Sequence, residues 1–199
     1  MKIKIVNIKI GGFILLFALL CCNNSFGQDF SKSSIKLGLG FGMHMGDNSE
    51  GSGLIYTVGY QREIWKERLR FNPNFSIGQY SSKFLPLDAR DQYFNSINLE
   101  ANLYYDLIKI ESFSIVVGCG GLVNNSRGLK GTGGDPEYYS EPLTSEYIND
   151  YHLGGFLGCG IRFNSPNKRT VLNIMPLNVH FGTNDFLEFN PKIEIDIKL

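Results

Sequence analysis

The feature that constrains this chain most is a side-chain period of two. In 34–45, SIKLGLGFGMHM, one face carries Ile35, Leu37, Leu39, Phe41, Met43 and Met45. The other carries Lys36, Gly38, Gly40, Gly42 and His44. Only an extended strand sends successive side chains to opposite faces; a helix repeats every 3.6 residues. The same alternation returns at 54–62, 69–80, 93–107, 113–123, 151–163, 169–181 and 186–199. In 93–107, Ile97, Leu99, Ala101, Leu103 and Tyr105 oppose Ser96, Asn98, Glu100, Asn102 and Asp106. The seventh stretch is the least regular, because Asn173 falls on its apolar face and Pro176 removes a ladder donor. Strands of about 9 to 15 residues exceed the usual length of about 5 to 6. They match the roughly 9 to 11 residues that a tilted strand needs to cross a bilayer.

The connections alternate too. Those at 46–53, 81–91 and 124–150 are long, and those at 64–67, 108–112 and 164–168 are short. With both termini at one end, the short turns share that end and the long loops lie opposite. The last link, TND at 183–185, is as short as a turn. The stretch 124–150, with KGTGGDPEYYSEP at its centre, lacks an apolar period and is expected to be a loop without regular structure.

The first 27 residues form a unit of their own. Lys2, Lys4 and Lys9 precede an apolar run from Gly11 to Leu20, and small polar residues follow. This is the layout of a secretory signal, with Ser25 and Gly27 placing the cut before Gln28. The apolar run is short of the ~20 residues of a spanning helix. Cys21 and Cys22 invite a lipoprotein reading, but Leu20 before them is too bulky for the usual lipidation signal. The chain has 19 basic and 19 acidic residues, so losing three signal lysines leaves it mildly acidic. No basic patch appears, which argues against nucleic acid as a partner.

Alternation shows that the faces differ, and three features decide which one points inward. The polar faces hold the glycines, including Gly38, Gly40, Gly42, Gly118, Gly120, Gly158 and Gly160. Glycine on a solvent-facing strand only weakens it, whereas in a narrow barrel it relieves crowding. The polar faces also carry opposite charges in mid-strand: Arg70, Glu100, Asp106, Arg162, Lys192, Glu194 and Asp196. Gathered in a lumen, these can pair, and left unpaired they would be prohibitive. Aromatic residues sit towards strand ends on the apolar faces, among them Tyr56, Tyr60, Phe71, Tyr93, Tyr105, Tyr151, Phe163 and Phe181. That distribution fits interfacial girdles. The expected fold is all-β, an eight-stranded antiparallel up-and-down transmembrane β-barrel over 28–199.

On these residues the chain resembles the small outer-membrane β-barrels, the OmpA-, OmpX- and OmpW-like group. It is most similar in flavour to those of Bacteroidota, whose signals often end much like SFGQ. The resemblance covers the mature chain and rests on architecture and on the closing strand KIEIDIKL at 192–199. Barrels of this group usually end in an aromatic residue read by the assembly machinery. Here Leu199 stands there, preceded in steps of two by Ile197, Ile195 and Ile193. The resemblance implies an outer-membrane location, a porin-like monomer, lipid as the surrounding partner, and a surface partner reached through 124–150.

The chemistry-bearing residues are few. His44, His152 and His180 all fall on polar faces near the loop-side ends of their strands. They form either a metal or base cluster at the barrel mouth, or three separate lumen histidines; their spacing carries no ligand motif. Some eight-stranded barrels are lipid A-modifying enzymes with a His and a Ser two residues apart and an acid nearby. The nearest match is His180 with Asp185 and Glu188, but Gly182 stands where the nucleophile is required. GLGFG and GCGG lie inside strands with no helix following, so they are not phosphate cradles. Cys119 and Cys159 project from apolar faces of neighbouring strands, as a cross-strand disulfide or as two lipid-facing thiols. No cofactor is expected and no enzymatic role is assigned. The leading function is a structural or surface-interaction barrel with a filled lumen. The alternatives are a narrow transporter with a side pocket at Phe156 and Leu122, a soluble periplasmic ligand-binding barrel, and a lipid A-modifying enzyme.

Overall fold

The computed structural model describes residues 32–46, 49–65, 68–82, 92–110, 112–131, 145–165 and 169–199. The expected signal segment, its cut site and the centres of the longest loops lie outside these residues. Nine strands form one sheet: β1 (Ser33–Met45), β2 (Gly51–Trp65), β3 (Leu69–Ser81), β4 (Gln92–Lys109), β5 (Phe113–Gly131), β6 (Ser145–Asn164), β7 (Thr170–Gly182), β8 (Leu187–Phe189) and β9 (Lys192–Lys198). From β1 to β8 each strand pairs antiparallel with its chain neighbour, β9 pairs with β7, and β1 pairs with both β8 and β9, closing the ring. Because β8 and β9 share one place between β7 and β1, the ring has eight places.

The eight-stranded antiparallel up-and-down barrel is therefore the fold, and the alternating faces divide as the glycine argument requires. Leu39, Leu99, Leu153, Leu157 and Ile193 are all more than half exposed on the outer wall. Polar residues on the opposite face are buried, including Ser76, Asn102, Asn124 and Asn178. The lumen is narrow enough for glycine to matter. A Cβ on Gly118 would stand 2.5 Å from the Tyr104 ring and 3.0 Å from Phe156. The end of the barrel where Ser34 pairs with Lys198 is the short-turn end, and His44 lies at the loop end.

Three stretches differ from the sequence reading. The eighth strand, read as one piece over 186–199, is interrupted at Asn190 and Pro191. Proline has no N–H to give to the ladder, yet the chain stays docked: Asn190 N–H donates to Asn178 O, and Phe41 N–H donates to Pro191 O. The stretch 124–150 is not all loop. β5 continues to Gly131 and β6 begins at Ser145, paired from Asn124↔His152 up to Gly131↔Ser145. Apart from Ile148, their inward positions carry polar residues and glycine, among them Asn124, Ser126, Gly128 and Asp150, which by composition read as loop. In place, Asn124 Nδ2 donates to Ser96 Oγ and to Asn98 Oδ1, each 2.5 Å away.

The third difference is in β7. A register shift between Cys159 and Ile161 opposes β7 where Met175 and Pro176 lie. An extra residue at a bulge turns the following side chains to the other face. Asn173 and Met175 therefore point inward before the bulge, and Asn178 and His180 point inward after it. Asn173 is a lumen residue, not a polar intruder on the lipid face.

Candidate functional site in the barrel lumen

The inward side chains build a charge network in layers. At the short-turn end the Arg70 guanidinium grips Asp106 with both nitrogens, at 2.8 and 2.7 Å. Arg162 is buried at the same end. In the middle, across the seam between β1 and β9, Glu194 lies 3.0 Å from both Lys36 and Lys192. Asp196 stands 4.0 Å from Lys36 and accepts from Gln61 Nε2 at 3.1 Å. The Lys36 ammonium also sits 4.8 Å from the centroid of the Tyr104 ring, within cation–π range.

Towards the loop end one carboxylate organises the rest. Glu188 Oε1 accepts from His180 Nδ1 at 2.9 Å and from Asn98 Nδ2 at 3.4 Å. Its other oxygen accepts from Tyr80 Oη at 2.8 Å and faces His44 Nδ1 at 3.3 Å. These partners come from β1, β3, β4 and β7, so one side chain on a three-residue strand ties four others together. His180 Nε2 then stands 3.6 Å from Glu100, whose far oxygen accepts from Asn102 Nδ2 at 2.6 Å. Two apolar tiers fill the space between the charges: Ile55, Tyr80, Phe94 and Ile148 above, and Tyr104, Val116, Phe156 and Met175 below. Phe156 belongs to a packed tier, with its ring 5.7 Å from those of both Tyr104 and His180.

All seven charges named from the sequence, Arg70, Glu100, Asp106, Arg162, Lys192, Glu194 and Asp196, lie inside the barrel. The three histidines fall into two groups. His44 and His180 share Glu188 from opposite oxygens. His152 stacks on Phe186 at 4.8 Å, faces Thr183 O through Nδ1, and is 6.5 Å from His44 between ring centroids. Among the described residues no group of three His, Cys, Asp or Glu side chains converges as metal ligands. Asp185 sits exposed in the β7–β8 turn with a positive φ of 52°, apart from His180 and Glu188.

Sequence reasoning passed over Lys36 as a lumen charge and Glu188 as a hub. The signal was present, since Glu188, Asn190, Lys192, Glu194 and Asp196 share one parity and are all buried. One arrangement was invisible without coordinates: His44 Nε2 lies 3.1 Å from Ser49 Oγ while Nδ1 faces Glu188. That is the connectivity of a hydroxyl–imidazole–carboxylate triad. Ser49 is fully buried, however, and Glu188 is divided among four partners. The chain of bonds braces the barrel mouth and leaves the hydroxyl no open side for a substrate. Cys119 and Cys159 are free thiols whose register partners are Leu157 and Val117, so they sit diagonally and not opposite each other.

Comparison with solved structures agrees with the fold. Neisserial surface protein A superposes with a TM-score of 0.62 at 12% identity, covering 86% of this chain and all of that one. Ail, the attachment invasion locus protein of Yersinia pestis, solved in complex with the heparin analogue sucrose octasulfate, superposes with a TM-score of 0.52 at 14% identity. That match covers 84% of this chain and 97% of Ail. No protein-family model and no curated protein matches the chain.

Proposed function

We propose that this chain is an integral outer-membrane barrel that serves as a rigid, side-chain-filled scaffold and presents its loop end to a surface partner. The observation that carries the reading is the inversion of the two faces: leucine, isoleucine and aromatic residues cover the outside, and ion pairs fill the inside. A soluble ligand-binding barrel needs the opposite arrangement. On β5 the outward apolar residues run from Phe113 to Val123 before Asn125 and Arg127 take over. With ~3.3 Å per residue and a tilt of about 40°, that band is about 25 Å tall, the height of an outer-membrane barrel's lipid-facing belt. The likeness to two outer-membrane proteins of low identity supports the same fold. The segment 1–27 would supply export.

The surface role falls to the hairpin of β5 and β6. β7 stops at Gly182, opposite Gly154, while β6 begins at Ser145, so the hairpin rises above the rim on that side. No observation favours transport, because the two apolar tiers close the lumen between the charge layers. Fractionation and gel mobility test the proposal together. The unheated protein should migrate faster than the boiled one and be recovered with outer membranes. Recovery in the soluble periplasm would overturn it.

A further inference from the structure

One glycine on the outer wall has no steric reason to be a glycine. Among the described glycines, those in the lumen or against a neighbouring strand would bring an added Cβ within 3.3 Å of another atom. Gly155, also on the outer wall, is covered by the Phe181 ring. Gly121 is the exception, since its Cβ would meet only Gly154 O, at 3.9 Å. A glycine weakens a strand, and here nothing inside the protein requires it. It pairs with Ala101, which pairs with Pro73, and the three form the floor of a depression of about 790 Å³. Phe75, Leu99, Val123 and Leu153, one register row nearer the loop end, are its walls.

A second observation lies up the same strand. Arg127 is the only charged side chain on the outward faces of the described strands in the loop-end half of the barrel. Its Nε donates to Asn149 Oδ1 at 3.1 Å and its Nη2 donates to Tyr151 Oη at 2.9 Å, so both described partners are neutral. They fix the guanidinium plane without cancelling its charge, which leaves the outer edge of the fork for an anion. Gln79 and Asn95 share its register row, and Tyr93, Leu129 and Tyr147, each more than half exposed, form the row above. Arg127 lies six residues above Gly121, or about 20 Å along the strand and about 15 Å in depth after tilt. Val123, the upper end of the apolar belt, is two residues above Gly121, so the notch lies about 5 Å below the belt's edge and Arg127 about 10 Å above it, at the depth of the headgroups.

We infer that the outer wall of β3 to β6 binds a phosphorylated glycolipid of the outer leaflet, with a phosphate on Arg127 and the upper part of an acyl chain in the Ala101–Gly121 notch. The amide row and the tyrosines above it face the sugar. This site rests on the outer-membrane reading, and the experiment separates the two. The full chain, extracted in detergent and shown folded by its heat-modifiable mobility, is mixed with bisphosphorylated lipid A and analysed by native mass spectrometry. The unsubstituted protein should retain it about 10-fold better than Arg127→Gln does, the scale of one charge-assisted contact. Gly121→Leu, whose Cβ would meet only Gly154 O at 3.9 Å and whose branch enters the notch, should lower retention while leaving the mobility shift intact, and Arg127→Lys should restore part of what glutamine loses. Dephosphorylated lipid A should be retained poorly by every form. Equal retention by the unsubstituted protein and both loss variants, or equal retention of the dephosphorylated lipid, would overturn the site with the barrel intact. So would displacement of the lipid by inorganic phosphate alone. Should Arg127→Gln fail to fold, the two lipids on the unsubstituted protein decide the matter. Absence of the mobility shift in the unsubstituted protein would instead sink the outer-membrane reading.

Discussion

At the scale of single residues, Glu188 has the largest leverage. Its carboxylate accepts from His180, Asn98 and Tyr80 and faces His44, all buried. Removing one partner of a buried charge cluster leaves the others desolvated and unpaired, at a cost of about 3–5 kcal/mol. Glu188→Leu should therefore lower the urea midpoint of unfolding strongly, and Glu188→Gln less so; an unchanged midpoint for the leucine variant would contradict the hub role. The seam pair behaves differently. Lys36→Met leaves Glu194 to Lys192, 3.0 Å away, whereas Glu194→Leu takes the nearest carboxylate from both buried ammonium groups. Glu194→Leu should therefore lower the midpoint more than Lys36→Met does, and an equal loss would contradict the shared carboxylate. The parity of these residues was legible in the sequence, but which of them meet was not. Lys36 and Glu194 are 158 positions apart and come together only through the ring's closure.

At the scale of elements, alternation located all eight places in the ring, and it failed where a local irregularity shifted the face. The bulge opposite Gly160 moved Asn173 from the expected lipid face to the lumen. Pro176 marks an irregularity in β7, but which face Asn173 takes is settled only by the register against β6. The tall ends of β5 and β6 were hidden for another reason. Their inward positions, Asn124 and Ser126, find polar partners on the neighbouring β4 and on each other. Outward positions should tolerate little charge. Leu103→Arg, opposite Cys119 in the middle of the band, should destabilise the folded barrel by about 2–4 kcal/mol, measured as the shift in refolding free energy into vesicles. Loss of Ile197–Leu199 should block outer-membrane assembly, because Ile197 pairs with Ile35 and with Thr170 at the seam. Normal assembly of the shortened chain would contradict the closing role of β9.

At the scale of the whole molecule, the lumen is a solid of alternating charge and hydrocarbon. In planar bilayers the folded protein should show no steady porin-like conductance; ohmic steps would favour the transport reading that the packed tiers disfavour. The ring of eight followed from strand count and loop asymmetry, whereas the slanted rim raised by β5 and β6 did not, because it depends on where β7 stops. The seam has a further consequence for how the chain matures. β1 is made first and β9 last, yet Lys36 on one lies 3.0 Å from Glu194 and 4.0 Å from Asp196 on the other. Until they meet, an open sheet would carry the unpaired ammonium of Lys36 on one margin and, with Lys192 set against Glu194, an excess of carboxylate on the other. Lipid rejects both margins separately and accepts them joined. A half-built barrel is thus held at the water's edge by its own electrostatics, and the membrane admits only the finished article.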